Sequence, residues 1–428
     1  MLPNGVILKM KRLVAFIFVL LPGVIWAEDR PTPSGVAYID QLIREVVQSH
    51  PKLEAERERS QAALAAISTV RLWEDPQLGL GLTAARRSMR MDDGDIRIGL
   101  EQMLPRPGLY KAETRRVSAE QQMQEAMRRL TANELGLSVA QAVLELALAD
   151  DVISLQGEEL RWLETIVGTA KERAKNPDGS ASETLRLEGE LALRQQRLAA
   201  AQRQRAQFAR TLNILLGRDA QDGWKPLTIP REVPSAQNMA GLESRLEKNS
   251  PQLAGTRFKV EGAQAEADAS REKRKPIYSV GVESNTYSGG DLRDTMFMLK
   301  ITLPWFNRKA YDSDVVRAER LRSAAQNDLA AQRRELFTQL TALVTEAENN
   351  RQNVDAYTRE VLPKAEKALE IIQGAWVSSK ATLLEVLDAR RTLLDARQEQ
   401  KRALAAQHVA LRSISALTGS LATIIEGK

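Results

Sequence analysis

The sequence predicts a mainly α-helical protein with a small β part, in which a helix-strand-strand-helix-helix unit occurs twice. Three observations support this class. The 428 residues are 27% charged and only 4% aromatic, a composition typical of long exposed helices. Short segments alternate apolar and polar residues as strands do. The two halves of the chain also resemble each other at a spacing near 200 residues.

The chain begins with cations, an apolar run and a small residue, the pattern of a secretory signal peptide. The cations are Lys9, Lys11 and Arg12. The apolar run extends from Leu13 to Ile25, and Ala27 suits cleavage. We therefore expect residues 1–27 to be a signal peptide, with Met10 as an alternative start. Loss of the three cations takes the net charge from +5 to +2, which predicts no nucleic-acid partner.

The sequence contains no cysteine. A disulfide framework, a thiolate metal site, a thiol nucleophile and lipid anchoring through cysteine are therefore not expected. After the leader, no segment reaches the roughly 20 consecutive apolar residues that a membrane-spanning helix needs. If the protein lies in a membrane, strands are expected to provide the contact.

Five pairs of segments match in the same order in both halves. They are 49–53 with 249–253, 76–78 with 276–278, 104–105 with 303–304, 179–182 with 379–382, and 212–217 with 414–419. A repeat of this kind predicts the same series of elements twice. We expect a first repeat over residues 28–218 and a second over 240–428. Residues 219–239, which contain Trp224 and three prolines, are expected to form an ordered linker.

Each unit is expected to open with a helix that begins at Pro51 or Pro251 and runs to about Trp73 or Lys275. Two strands should follow, because apolar residues alternate with small, polar or charged ones. The four strands are expected at about residues 76–84, 95–104, 276–287 and 295–304. Polar segments that contain glycine, 86–94 and 288–294, would connect the strands of each pair.

Two long helices should complete each unit. From Gly108 to Arg173 no proline interrupts the pattern, so a continuous helix there would be on the order of 100 Å long at 1.5 Å per residue. Leucines recur at the seven-residue spacing of coiled coils. One series is Leu191, Leu198 and Leu212, interrupted by Arg205. The other is Leu329, Leu336 and Leu343, with Leu340 and Ala347 at the intermediate positions of the heptad.

Four strands are too few to close a transmembrane barrel, which needs at least eight. Three copies of the chain would supply twelve strands, and closure would leave no unpaired strand edge in lipid. The strand count therefore predicts that copies of the chain complete one another.

Three segments carry a resemblance to a known family. Residues 381–396, ATLLEVLDARRTLLDA, are similar to the motif at the start of the last long helix in TolC-like outer-membrane efflux proteins. The resemblance covers essentially the whole chain after the leader. Residues 75–78 (DPQL) and 99–105 (GLEQMLP) resemble the heavy-metal, CzcC/CusC-like branch of that family.

The resemblance implies a homotrimer with a 12-stranded β-barrel in the outer membrane of a Gram-negative bacterium. A periplasmic α-helical coiled-coil barrel would continue it. The implied partners are outer-membrane lipid, a periplasmic adaptor (membrane fusion) protein and an inner-membrane pump of the resistance-nodulation-division (RND) type. The chain would be a passive, gated exit duct, and heavy-metal cations would be its substrates.

The resemblance also implies that two helical tips, residues 176–182 and 376–382, contact the adaptor. The candidate contact residues are Gly179, Ser182, Ser379, Lys380 and Thr382. Ser379 stands where the family often has glycine, and Ala381 stands where some members have a gating arginine. The difference at Ser379 affects the expected contact of the tip with the adaptor, and the difference at Ala381 affects how the gate would close.

Glu385 and Asp388 are candidate gate residues because residues three apart share one face of a helix. The resemblance implies that three copies would place up to six carboxylates at the narrow end of the tunnel. Such proximity would raise some carboxyl pKa values and favour cations. The alternative interpretation is a solvated helix surface. Glu188, the counterpart of Asp388 in the first repeat, is a weaker candidate.

Other residues do not predict a cofactor or metal site. Five methionines in or near the strands have thioether groups that can ligate Cu(I), although packing is the commoner role. They are Met89, Met91, Met103, Met296 and Met298. His50 and His408 are far apart and lack zinc-site spacing. No nucleophile motif, phosphate-binding loop or acid–base pair predicts an enzyme.

Three other functions stay open from the sequence. The same fold would serve as a duct for drugs and other organic compounds, or for type I protein secretion. A periplasmic coiled-coil scaffold would also explain the heptads and the leader. The scaffold gives no reason for two amphipathic hairpins at matching places in the repeats.

Overall fold

The computed structural model describes residues 35–83, 95–175, 181–231, 238–287, 290–419 and 421. The expected signal peptide, the connecting segment 86–94 and the tip residue Gly179 lie outside the described residues. Nine α-helices and four strands are present in the described part of the chain. The predicted class, mainly α with a small β part, is confirmed.

The helices are α1 (Val36–Ser49), α2 (Pro51–Thr69), α3 (Pro107–Arg173), α4 (Ala181–Leu215), α5 (Met239–Asn249), α6 (Pro251–Lys273), α7 (Arg308–Ala356), α8 (Leu362–Val377) and α9 (Leu383–Leu417). The strands are β1 (Gln77–Thr83), β2 (Asp95–Met103), β3 (Ile277–Thr286) and β4 (Leu292–Thr302). A short 3-10 turn, Pro304–Asn307, links β4 to α7. A π-turn, Tyr357–Val361, links α7 to α8.

Two short helices, α1 and α5, precede the expected first helix of each unit, and the sequence analysis missed them. Their signal was present as apolar residues at helical spacing. The buried residues of α1 are Ile39, Leu42, Ile43 and Val46, and those of α5 are Leu242 and Leu246. α5 begins at Met239, the last residue assigned to the expected linker.

The first repeat contains the longest helix, whereas the second contains a break at the corresponding place. α3 runs unbroken for 67 residues, about 100 Å, with Pro107 in its first turn. In the second repeat the π-turn separates α7 from α8, and Pro363 stands in the first turn of α8. Proline lacks an N–H and its ring crowds the carbonyl four residues earlier, which explains the local widening.

The four strands form one antiparallel sheet in the order β1-β2-β3-β4. β2 and β3 join the two repeats, with Met103 opposite Ser279 and Ile96 opposite Thr286. β1 and β4 form the two edges of the sheet. β4 begins at Leu292, three residues before the expected start.

Each strand connects to a helix at the same end of the sheet, and the helices keep the order of the strands. Next to the sheet the neighbours are α2, α3, α6 and α7, in that order. Further from the sheet the order is α4, α3, α9 and α7. One flank of the chain therefore carries β1, α2 and α4. The other flank carries β4 and α7.

Apolar side chains collect in three clusters along the helices. One joins α1, α3 and the end of α4, a second lies near the tip between α3, α8 and α9, and a third joins α5, α7 and α9. Leu212, Leu336 and Leu340 of the predicted heptads are fully buried in them. The predicted coiled-coil packing is therefore confirmed at these positions.

Arg205, which interrupts the first leucine series, binds α4 to α3 and to the segment after the first repeat. Its guanidinium donates to the carboxylate of Asp150 in α3. The second oxygen of Asp150 accepts the backbone N–H of Leu227 at 2.9 Å. The indole of Trp224 donates to Asn213 at 2.6 Å. These bonds hold residues 224–227, which follow the first repeat, against α3 and α4.

Both repeats place a glycine just beyond their last helix, Gly217 after α4 and Gly419 after α9. Both have positive φ, at 68° and 73°, where glycine is favoured. Their surroundings differ. A Cβ on Gly217 would meet nothing within 4 Å, whereas one on Gly419 would lie 2.3 Å from the carbonyl oxygen of Asn249.

We predict that Gly419→Ala destabilises the protein more than Gly217→Ala. The left-handed conformation costs an alanine about 1 kcal/mol at either position. Overpacking against Asn249 should raise the total loss of unfolding free energy in Gly419→Ala to about 3 kcal/mol. Thermal unfolding followed by the helical circular dichroism signal measures the stability of both variants. Equal decreases in melting temperature would show that the contact with Asn249 is unimportant.

Candidate functional site

The sheet has one apolar face and one polar face. The apolar side chains are exposed, and Leu82 and Phe297 each keep 84% of their surface accessible. Members of this face lie opposite one another across all strands, as Leu100 does with Leu78 and Val282. An exposed apolar surface of this extent is unusual for a protein in water and is typical of the lipid-facing side of membrane strands.

The polar face carries charged side chains that pair across strands. Arg97 of β2 lies 3.2 Å from Glu283 of β3. Glu101 accepts a hydrogen bond from Ser279 at 2.7 Å and contacts Lys300 of β4. Gly281 stands between β2 and β4, and its lack of a side chain lets Glu101 reach Lys300 across β3. The pairing compensates charge on this face.

None of the helices in the described part of the chain has the length and apolarity of a membrane span.

Among the described residues, no group of three histidine, aspartate or glutamate side chains that could hold a metal ion is found. Met89 and Met91 lie outside the described residues. His50 caps α2, where its Nδ1 accepts the N–H of Lys52 at 3.1 Å. His408 is buried and lies 2.8 Å from the carbonyl oxygen of Pro230. Burial lowers the pKa of the His408 imidazole.

The turn between α8 and α9 forms the candidate tip of the second repeat. Ser379 has a φ of 59°, a left-handed conformation that is uncommon outside glycine. The N–H groups of Lys380 and Ala381 both donate to the carbonyl of Ala375, at 2.7 and 3.2 Å. This geometry provides a physical reason why glycine would be favoured at position 379, where this chain has serine.

Arg173, at the end of α3, binds this turn. Its guanidinium donates to the Trp376 carbonyl at 3.2 Å and to the Ser379 hydroxyl at 3.0 Å. It also stacks over the Trp376 ring, with Cζ 4.9 Å from the ring centroid. The contacts compensate part of the strain at Ser379 and join the tip to the first repeat.

Thr382 and Glu385 form a capping box at the start of α9. The Glu385 N–H donates to the Thr382 hydroxyl at 3.3 Å, and the Glu385 carboxylate accepts the Thr382 N–H at 2.7 Å. The backbone hydrogen bond, with a second from the Thr382 hydroxyl, lowers the pKa of Glu385. The cap is therefore complete above the ordinary pKa of a glutamate and is lost as pH falls through the lowered value.

The other predicted site residues are on or near the same surface. Asp388 is exposed on α9, and its carboxylate has no ion pair within the described residues. Lys380 is exposed in the turn, and Ser182 is exposed in the first turn of α4. Glu188 pairs with Lys171 of α3 at 2.7 Å. Thus Asp388, unlike Glu188, is available to a species in solution.

A buried ion pair joins α3 to α9 two turns from the tip. Arg390 donates to Glu159 at 2.6 Å and lies over the Trp162 ring at 4.8 Å. Only 4% of the Glu159 side chain and 13% of the Arg390 side chain are exposed. The neighbouring pair of Glu158 with Arg397 is longer, at 3.5 Å, and 46% of the Glu158 side chain is exposed.

Comparison with known proteins identifies the family. The model of the outer membrane efflux protein family matches residues 42–218 and 242–420, which together make up most of the chain. The chain belongs to the outer membrane efflux protein family. The predicted resemblance is thereby confirmed, and the protein is placed in the outer membrane with a periplasmic helical part.

Individual relatives are more distant. The chain is 27% identical over 187 residues to the cobalt-zinc-cadmium resistance protein CzcC of Cupriavidus metallidurans, and the match spans 44% of each chain. The solved structure of CusC is 19% identical with a TM-score of 0.77, covering 89% of this chain and 92% of that one. VceC of Vibrio cholerae is 17% identical with a TM-score of 0.76, covering 90% and 96%. The match to CzcC agrees with the predicted heavy-metal branch, and the CusC and VceC structures show that this chain shares their fold.

Sequence analysis did not find the residues that hold this efflux protein's tip together. Arg173, Glu159 and Arg390 lie far apart in the chain, and each is one charge among many on long helices. No local pattern distinguishes a buried charge from a solvated one. Thr382 and Glu385 did carry a local signal, because a threonine three residues before a glutamate is the pattern of a capping box.

We predict that Glu159→Gln lowers stability by about 3 kcal/mol, because Arg390 would stay buried without a counter-charge. Glu158→Gln is the matched control and should cost less than about 1 kcal/mol, as exposed pairs do. Chemical denaturation followed by circular dichroism measures both. Equal losses would mean that burial of the pair does not matter.

Proposed function

We propose that this chain is the outer-membrane channel component of a tripartite efflux system. Three copies would form a 12-stranded barrel and a helical tunnel that serve as a passive, gated exit duct. A periplasmic adaptor and an inner-membrane RND pump would complete the system. The proposal rests on the sheet. It has an exposed apolar face, an ion-paired polar face and two edges without a partner strand in the described residues. The same strands continue into helices up to about 100 Å long.

Heavy-metal cations are the substrates that the observations favour. The supporting relative, CzcC, is named for cobalt, zinc and cadmium resistance, and the match spans less than half of each chain. A weakly binding, partly acidic path suits cations that must enter and leave. Catalysis is not part of the proposal, since the family and the fold are those of channel proteins.

The proposed gate lies at the start of α9. Leu383 and Val386 are buried on one side of this helix, so Glu385 and Asp388 are on the opposite, exposed side. Three copies would place these carboxylates around one axis. Glu385 has a capping function as well, so Asp388 is the better probe of selectivity. Adaptor contact is proposed for the tip residues, namely Gly179, Ser182, Ser379, Lys380 and Thr382.

The alternatives are efflux of drugs and other organic compounds, type I protein secretion, and a periplasmic scaffold. The first two use the same duct and differ in the pump. The scaffold is disfavoured by the exposed apolar face of the sheet, which would have no function in water.

We predict that a strain without this protein becomes sensitive to cobalt, zinc or cadmium salts, because a metal pump would lose its exit. Growth across metal salts, beside dyes and detergents, measures the effect, and a plasmid copy should restore resistance. Sensitivity to organic compounds alone would contradict metal efflux and would indicate that the protein serves general drug efflux.

We predict that Asp388→Asn reduces the cation preference of channels in planar bilayers, seen as a shift of the reversal potential toward zero in a salt gradient. Glu385→Gln should shift it in the same direction while keeping the capping box, which glutamine also forms. Glu172→Gln, which removes an exposed acid from the end of α3, is the control. An unchanged reversal potential in Asp388→Asn would exclude it from the gate.

A further inference from the structure

The end of the sheet that meets the helices carries exposed aromatic side chains. Trp73 precedes β1, Tyr278 is near the start of β3, and Trp305 and Phe306 follow β4. Trp305 is 62% exposed and Phe306 is 88% exposed. Aromatic residues at the end of membrane strands mark the level of the lipid headgroups. Because the helical part of the protein is periplasmic, this end of the sheet is at the periplasmic leaflet of the outer membrane.

A groove of about 400 Å³ lies beside Trp305, between the end of α6 and the start of α7. Its lining consists mainly of arginine and aromatic side chains. The lining residues are Arg271, Arg274, Pro304, Trp305, Arg308 and Tyr311. Guanidinium groups bind phosphate oxygens through paired hydrogen bonds, and aromatic rings suit the boundary between headgroups and acyl chains. The groove therefore has the chemistry of a headgroup site.

Two of these arginines share a single carboxylate. Arg274 lies 3.1 Å and Arg308 lies 3.5 Å from Asp312. Lys309 lines the surface beside Arg308 and has no ion pair within the described residues. Arg271, by contrast, is paired with acids of its own on α6 and α7. Three cations thus surround one carboxylate, which leaves the groove with an excess of two positive charges.

The groove is next to the apolar face of the sheet. Trp305 follows Ile301 and Leu303 at the two-residue spacing of that face, and all three are exposed. A molecule in the groove would meet cations on one side and an apolar surface on the other. A free anion would use only the cations. A lipid with a negatively charged headgroup uses both.

We propose that this groove binds an anionic phospholipid of the periplasmic leaflet. Arg274, Arg308 and Lys309 hold the phosphate headgroup, and Trp305 packs against the glycerol and the first part of the acyl chains. Basic pockets at membrane interfaces bind anionic headgroups in this way. The inference goes beyond the proposed efflux function, since it names a lipid partner and is independent of the cargo. It rests on the position of the sheet in the outer membrane.

The first test compares lipids of different charge. Dioleoyl phosphatidylglycerol is the anionic probe and dioleoyl phosphatidylcholine is the neutral one, each added to protein purified from outer membranes in a non-ionic detergent. Native mass spectrometry counts the lipids bound to each oligomer. Phosphatidylglycerol should bind about tenfold or more tightly, and the triple variant Arg274→Gln, Arg308→Gln, Lys309→Gln should lose this preference. Equal binding of the two lipids by the unaltered protein would overturn the site.

The matched control removes three exposed cations from the π-turn, α8 and α9, with Arg359→Gln, Lys364→Gln and Arg391→Gln. This variant should keep the preference for phosphatidylglycerol. An equal loss in the control would mean that net charge, and not the groove, attracts the lipid. Loss of the oligomer in the groove variant alone would assign its cations to a contact between copies, and this result would also overturn the site.

A variant that strengthens binding provides the second measurement. Asp312→Asn removes the shared carboxylate and keeps every cation, so it should bind phosphatidylglycerol severalfold more tightly. Unchanged or weaker binding would contradict the proposal. Trp305→Ala should weaken binding of the same lipid. Sodium phosphate in large excess should not displace the lipid, and full displacement would mean that the groove takes a free anion.

These results are separable from those for the proposed channel. Protein that conducts in planar bilayers and shows no preference for phosphatidylglycerol would overturn the lipid site alone. Protein that binds the lipid through these residues and does not conduct would overturn the channel and leave the site intact.

Discussion

The backbone of the four-stranded sheet imposes the constraint on which the rest of the structure depends. In lipid every N–H and C=O group must be hydrogen-bonded within the protein, because no water is available. Pairing of β1 with β2, β2 with β3 and β3 with β4 satisfies the inner groups. The outer edges of β1 and β4 have no partner strand in the described part of the chain. In the proposed channel, strands of other copies would cover these two edges. The helices repeat the same arrangement, with α4 and α7 on the flanks.

The two repeats have corresponding strands and long helices, but the helices differ in continuity. α3 is a single helix from the sheet to the tip, whereas α7 and α8 are separated by a π-turn and a proline. α9 contacts both repeats, through Arg390 on Glu159 and through Gln400 on Thr358. The tip of the second repeat is thus a separate segment that is held to a rigid helix of the first by a few specific bonds.

Charges have different roles at different levels of this efflux protein. On the sheet, Arg97 is compensated by Glu283 on the neighbouring strand, and Lys300 is compensated by Glu101 two strands away. Charges that are paired in this way are tolerated by the fold rather than presented to a partner. Near the tip, buried pairs such as Glu159 with Arg390 define how helices dock. An uncompensated charge is found on the exposed surface of α9, at Asp388.

The sequence by itself determined the class of fold, the four strands, the long helices and the family. The fold class, the strands and the long helices follow from local periodicity and from the repeat. The family follows from the resemblance carried by residues 75–78, 99–105 and 381–396. It also contained the capping box at Thr382 and Glu385. Tertiary structure alone decided that Glu159, Arg173 and Arg390 differ from the other charges of the long helices, and that Ser379 is left-handed. The physical reason is that these side chains are buried and paired by contacts between residues about 200 positions apart. The sequence of a charged helix is the same whether its charges face water or another helix.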